Sequence, residues 1–360
     1  MNWFRILRSG NGVDLNKLPL AIIITLGLLL LAPFRLVADF FRRKAIKSAH
    51  LLEQPIFIVG HWRSGTTHLH NLMASSGRFG GVYTFDAFFP YFSLWIRNRK
   101  SFLHNMLKRL SFNRPQDNMK WDINEPEEEE FAVANTSPYS FFHGWIFKKR
   151  FRAYFQKYIL FNDVSGKEIA QWKKVYNEIL LQSSICSNGK PLLLKNPYNT
   201  ARIKMLFSMY PDSRFIYIYR DPVKVYSSIM HMFDKISYIE LQSISDEEMM
   251  QDVFFVYNSM HERFYQDVKQ LPDGYCSFIR YEDLVKEPLS VMSKVYKEIG
   301  IDGFEADSKR MLEYLKSVKN YKKNEFNLGE DDRKRIEKEW GKYIRLMGYE
   351  KNDLTKEGVH

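Results

Sequence analysis

Cysteine is scarce in this 360-residue chain: Cys186 and Cys276 are the only two, far apart and without metal-ligand spacing. That pattern argues against both a disulfide framework and a zinc site. No internal repeat or low-complexity block stands out, apart from a run of four glutamates. Acidic residues are in the minority, 42 against 53 Lys and Arg, for a net charge of +11. The excess favours anionic partners: nucleotides, phosphorylated cofactors, an acidic membrane surface or nucleic acid. Charge alone does not choose among them, and no nucleic-acid recognition motif accompanies it. With 45% hydrophobic and 26% charged residues the chain is globular, which excludes a mainly disordered one. Its length exceeds one average domain and suits a single large α/β domain with appendages.

The longest apolar run is LPLAIIITLGLLLLAPF, Leu18 to Phe34, with Arg5, Arg8 and Lys17 before it and Arg35 after it. Pro19 can start a helix and Pro33 can end or kink one. At 1.5 Å per residue the run reaches roughly 22–26 Å, short of a hydrocarbon core of about 30 Å. Three readings compete: a marginal span or membrane-dipping anchor, a cleaved signal peptide, and a buried helix. Against the signal peptide stands Arg35, which follows without a clear A-x-A site. Beyond Pro33, Leu36, Val37, Phe40 and Phe41 alternate with Arg35, Asp39, Arg42, Arg43 and Lys44, a pattern suited to a helix in the interface. If the run spans, the more basic carboxyl flank places the remaining chain on the cytoplasmic side. Residues 1–50 are thus expected to be an anchor and interfacial segment, and 51–360 the catalytic domain. A single Asn135-Thr136-Ser137 triplet carries little weight as a glycosylation signal.

Four short apolar runs read as strands: Pro55 to Val59, Pro191 to Leu194, Arg214 to Tyr219 and Tyr275 to Ile279. Helical stretches separate them, which predicts an α/β, three-layer domain with a buried central parallel sheet. Ligands bind such sheets at the carboxyl ends of strands. Gly60, Lys195, Arg220 and Arg280 all stand there. Residues 79–181, rich in aromatics and helix formers, read as a helical insertion over the sheet, either an acceptor-binding lid or simple packing.

Gly60-His61-Trp62-Arg63-Ser64-Gly65-Thr66-Thr67 follows a strand and opens a helix. The G-x4-G spacing is that of a P-loop, whose backbone N–H groups cradle phosphate at a helix start. Thr66 stands where a Walker lysine would, which opposes a nucleoside triphosphatase or P-loop kinase. Arg63 supplies cationic charge instead, and Ser64, Thr66 and Thr67 add hydroxyls around Gly65.

GHWRSGTTHLHNLM resembles the 5′-phosphosulfate loop of sulfotransferases that use 3′-phosphoadenosine-5′-phosphosulfate. Its Arg-Ser-Gly-Thr-Thr core is closer to the protein-tyrosine and bacterial branches than to the cytosolic branch, which carries lysine at the Arg63 position. IYIYRDPVKVYSS is a second match, and the resemblance implies that Arg220 and Ser228 grip the donor's 3′-phosphate. LLLKNPYNTARIKMLFSMYPDSRFIYIYRDP resembles the family's Lys-Ser-Pro segment with Asn196 in place of serine, and FIRYEDLVKEP its Arg-Tyr-Glu-Asp-Leu segment. The likeness covers roughly Pro55 to Pro288. Tyr321, Lys322 and Lys323, in a weaker tail, match the late basic loop that closes over the 3′-phosphate, or else belong to a solvated charged segment.

Sulfuryl transfer needs an in-line oxygen nucleophile, a base, and stabilisation of the equatorial oxygens and departing phosphate. Arginine and lysine can serve without a metal. Lys195 is assigned to the sulfuryl or bridging oxygen and Arg63 to the leaving 5′-phosphate. Three residues compete as base: Glu128 in the acidic segment Glu125 to Glu130, Asp86 after the phosphate helix, and His143 in FFHGW. A helix starting near Pro126 would let most of these glutamates serve its dipole from the surface. Phe85, Phe88, Phe89, Tyr91, Phe92 and Trp95 cluster after the phosphate helix, and 16% of the chain is aromatic. An apolar steroid or lipid alcohol is the first expectation for the acceptor, protein tyrosine the second, carbohydrate the third. A non-catalytic nucleotide-binding membrane protein would keep Arg63, Arg220 and Ser228 but could lose Lys195 and the acids. The expected site is therefore membrane-associated, metal-free and on the cytoplasmic face of a bacterial membrane.

Overall fold

Four strands, β1 (Ile56–Val59), β2 (Leu193–Lys195), β3 (Arg214–Tyr219) and β4 (Cys276–Arg280), form one sheet in the order β2-β1-β3-β4 with every pairing parallel. The computed structural model describes residues 2–96, 125–318 and 328–350. β1 and β2 begin one and two residues after Pro55 and Pro191, because proline has no N–H to donate to a ladder. The principal helices are α1 (Asn2–Ser9), α2 (Leu18–Lys47), α3 (Thr66–Ala74), α4 (Glu129–Thr136), α5 (Gly166–Cys186), α6 (Pro222–Ile236), α7 (Asp246–Asp267) and α8 (Glu330–Leu346).

Side chains alternate across the strands, so each run feeds two cores. Phe57, Val59, Leu194, Phe215 and Tyr217 pack with Trp172 and Tyr176 of α5 and Phe264 of α7. Ile56, Ile58, Leu193, Ile216 and Ile218 pack on the opposite face with Leu69, Leu72 and Met73 of α3 and with Met292 and Tyr296. Covered faces on both sides explain why the runs are apolar throughout, and they give the expected three layers. From β1 the chain moves to one neighbour, β2, then crosses to the other side for β3. The carboxyl ends of β1 and β3 therefore border the crevice at which such sheets bind ligands.

The amino-terminal helix differs from the sequence reading. Pro33 lies inside α2, which continues to Lys47 as one 30-residue helix. Proline removes only one intrahelical N–H donor, and α2 is held beyond it by packing: Ala38, Arg42 and Ile46 are buried. Ile6 of α1 and Ala21 of α2 join the same core cluster as Trp62 of the phosphate loop.

Candidate active site

The loop Gly60–Gly65 needs its two glycines for steric reasons. Gly60 has φ +148, and a Cβ there would stand 2.2 Å from the Ile218 carbonyl oxygen. Gly65 has φ +99, and its Cβ would stand 2.2 Å from the Tyr281 ring. Arg63 also takes a left-handed conformation, φ 66, at a cost on the order of 1 kcal/mol for a residue with a Cβ. The loop is held from within and below. Ser64 donates to the His61 carbonyl at 2.6 Å, and the Gly60 N–H donates to Thr200 Oγ1 at 2.8 Å. Ser64 and Thr66 are buried and Thr67 is half-buried. Behind it, Trp62 packs edge-on against Tyr198 at 5.3 Å and His61 stacks on His261 at 5.7 Å. Burial, then the neighbouring His261, holds the His61 imidazole well below its ordinary value. A rigid apolar backing thus aims the first N–H groups of α3 outward.

Three of the residues expected to bind donor meet beside this loop. Arg63 Nε donates to Ser228 Oγ at 2.8 Å, and Arg220 Nη1 donates to the Arg63 carbonyl at 3.3 Å. The Arg220 guanidinium lies over the Tyr281 ring at 4.6 Å. Asp221 caps α6 by accepting from the Val223 N–H at 2.9 Å, which brings Ser228 back toward Arg63. The Arg220 Nε–H is buried and has no hydrogen-bond acceptor among the described residues. A buried cationic donor left over in this way fits an anionic oxygen supplied by a ligand.

Lys195 ends β2, almost fully buried, with Nζ 2.6 Å from Glu128 Oε1. Burial raises the Glu128 carboxyl above its ordinary value, with the Lys195 charge opposing it. The sequence expectation is a helix starting near Pro126 with most of the four glutamates serving its dipole. Instead α4 begins at Glu129, and Glu129 and Glu130 are both fully buried. Glu129 Oε1 accepts from the Tyr176 hydroxyl and Asn199 Nδ2, each at 2.6 Å, and from Asn196 Nδ2 at 3.2 Å. Burial raises its carboxyl, while the Tyr176 bond opposes the rise. Glu130 pairs with Arg202 at 2.7 Å and accepts from Ser140 at 2.6 Å. There burial pushes upward, but the Arg202 charge and its bonds outweigh it and the carboxyl is lowered. The dipole argument yields because the partners come from α5 and the segment after β2, beyond the reach of local pattern. These glutamates anchor the very turn, Lys195 to Arg202, that carries the buried lysine.

The other two base candidates are also buried. His143 is buried with Nε2 on the Ser137 carbonyl at 3.0 Å, and burial holds its imidazole down at about 4. Asp86 is buried in the short helix Thr84–Phe88. Tyr321, Lys322 and Lys323 lie outside the described residues. Arg280, at the end of β4, has its guanidinium over Tyr349 at 4.4 Å. Tyr281 is the site residue that sequence reasoning undervalued. It touches both the Gly65 turn and Arg220, and its only signal was membership of the Arg-Tyr-Glu-Asp-Leu segment.

Known proteins can now be set beside this geometry. The family model described as "Sulfotransferase family" matches residues 55–306. The omega-hydroxy-beta-dihydromenaquinone-9 sulfotransferases Stf3 of Mycobacterium bovis and Mycobacterium tuberculosis are each 30% identical over 307 residues, covering 84% of this chain and 77% of the relative. Crystal structures of sulfotransferase STF9 from Mycobacterium avium and STF1 from Mycobacterium tuberculosis superpose with TM-scores of 0.67 each, at 16% and 15% identity. The STF9 match covers 84% of this chain and 79% of the other, and the STF1 match 87% and 85%. At that identity they speak for the fold alone. The family match runs from the residue before β1 to beyond β4, and with the two curated relatives it establishes that the chain belongs to the sulfotransferase family.

Proposed function

We propose that the protein moves a sulfuryl group from 3′-phosphoadenosine-5′-phosphosulfate to the hydroxyl of an apolar, lipid-like acceptor at a membrane surface. The observation that carries the reading is the convergence of Arg63, Ser228 and Arg220 on the phosphate loop, with the Lys195–Glu128 pair at the end of the strand next to β1. The loop N–H groups and Arg63 take the donor's 5′-phosphate, and Arg220 and Ser228 its 3′-phosphate. Lys195 has three N–H donors and directs one toward the oxygen bridging phosphorus and sulfur. The acceptor oxygen forms a new bond to sulfur as the sulfur–bridging-oxygen bond breaks, its electron pair passing to the departing phosphate. The hydroxyl proton goes to Glu128. A carboxyl raised by burial is the better base, because its affinity for the proton is closer to the operating pH.

Two observations support a lipid-like acceptor. The curated relatives are named for a hydroxylated menaquinone derivative. In this chain Phe88 and Phe89, 39% and 44% exposed, flank the acidic segment, and Phe88 meets Phe131 at 5.3 Å. The exposed apolar face of α2 supports membrane association, and the exposed basic residues Arg43, Lys44 and Lys47 at its end suit the anionic surface of a cytoplasmic leaflet. The test is transfer of labelled sulfuryl in detergent to a panel of polyprenyl alcohols, sterols, phenols, a tyrosine peptide and a sugar. Label on the apolar alcohols, lost in Arg63→Ala, is the expected result. Label on the peptide or sugar alone would overturn the acceptor. Failure to bind adenosine 3′,5′-bisphosphate would overturn the donor.

A further inference from the structure

Although α2 is apolar enough to cross a bilayer, only 6% of its most apolar window is buried. Its few contacts follow a rule. Leu20, Ala21, Ile24 and Thr25 near its start, and Ala32, Arg35, Ala38, Asp39, Arg42, Ala45 and Ile46 further on, are the covered positions, spaced for one helix face and interrupted by the exposed stretch Leu26–Leu31. They form one stripe along a helix about 45 Å long. The stripe is pinned to the same body at both ends. At the start, Trp3 Nε1 donates to Thr25 Oγ1 at 2.8 Å, and the preceding loop is tied down by Asp14–Lys149 at 2.5 Å and by Gln242 on the Gly10 and Gly12 carbonyls. Towards the other end, Arg35 donates to the Tyr91 hydroxyl at 2.5 Å, and buried Arg42 pairs with Glu178 at 3.0 Å. Off the stripe, Ile23, Leu26, Leu30, Phe34 and Phe40 are 56–74% exposed.

We propose that α2 lies in the plane of a single leaflet, strapped along the catalytic domain, and does not cross the bilayer. A crossing helix would have to draw Asp14, Lys149 and Gln242 at one end, or Glu178 and Arg42 at the other, through hydrocarbon, where charged and polar groups are costly. In-plane insertion leaves both sets in water and buries only the apolar face. The exposed Arg43, Lys44 and Lys47 at its carboxyl end, with Arg5 and Arg8 on α1, select an anionic leaflet. The proposal rests on the membrane association offered above, though not on the acceptor. The consequence for that acceptor is that Tyr91, in the aromatic run beside the site, sits at leaflet depth beneath Arg35.

The test uses the full chain with Cys186→Ser and Cys276→Ser and a single new cysteine, Asn16→Cys or Lys47→Cys, one at each end of α2. Each is added to preformed vesicles of phosphatidylcholine with or without phosphatidylglycerol. We expect flotation with the vesicles, stronger with phosphatidylglycerol, and labelling of both positions by a membrane-impermeant maleimide without lysis. Protection of one position until lysis would mean a span and would overturn the proposal while leaving membrane association intact. Absence of flotation would overturn both. A Leu26→Glu, Leu30→Glu variant should float at least tenfold less yet still bind adenosine 3′,5′-bisphosphate. If it floats undiminished, or if the parent chain is a soluble dimer that buries this face, the proposal fails.

Discussion

Replacing Glu128 by Gln isolates the proton-accepting role from the structural one. The glutamine keeps an oxygen where Glu128 Oε1 now accepts from Lys195 at 2.6 Å, so that hydrogen bond survives without its charge. Deleting one partner of a buried pair outright costs about 3–5 kcal/mol, and keeping the acceptor confines the loss to the lower part of that range or below. Catalysis should suffer more. Removing a general base lowers kcat typically by about 10²–10⁴-fold, or roughly 3–5 kcal/mol of transition-state stabilisation. Labelled-sulfuryl transfer at saturating donor and acceptor reads this loss directly. Equilibrium binding of adenosine 3′,5′-bisphosphate, expected to stay within a few-fold, shows that the donor site is intact. The pH profile provides a second readout. Burial raises the Glu128 carboxyl, so the wild-type rate should fall as pH drops through a value above the usual carboxylate range, and that limb should vanish in the variant. A variant with kcat within threefold of wild type, or one that keeps the same acidic limb, refutes Glu128 as the base and reopens Asp86 and His143.

Gly65→Ala combines a positive φ with a methyl group 2.2 Å from the Tyr281 ring, and should lose about 2–3 kcal/mol of stability by urea unfolding and weaken donor-product binding. Unchanged binding would show that the turn tolerates a side chain. Glu130→Ala strands Arg202 in the interior and should cost about 3–5 kcal/mol, whereas removing both partners together should cost less than the sum of the single changes. Strict additivity in that double-mutant cycle would refute a coupled pair. Stability should also drop in mild acid. His143 and His261 are held at about 4 by burial, against 6.5 for the free side chain, so the unfolded chain takes up protons first as pH falls. Each contributes about 3 kcal/mol above pH 6.5, lost progressively toward pH 4. A melting temperature flat between pH 7 and 4.5 would show that these histidines are not held neutral.

The phosphate loop was legible because everything it needs is contiguous: an apolar strand, two glycines at fixed spacing and a helix start. Arg220 and Ser228 were legible for a related reason, since one strand end and the first turns of one helix place both. Strand positions and a parallel sheet also followed from sequence, because burial on both faces demands apolar runs whatever the connections. Pairing was decided by the tertiary structure. Glu129 and Glu130 look like any acids at a helix start until Tyr176, Asn196, Asn199 and Arg202 close over them. The Lys195–Glu128 pair likewise joins residues 67 positions apart, which no local pattern shows. For α2, composition announced an apolar helix, and only the stripe of covered positions disclosed that one side is held by the domain. Local sequence carries backbone geometry and periodicity, which act over a few residues. Burial, charge pairing and the orientation of a helix against its neighbours depend on residues brought together from distant parts of the chain.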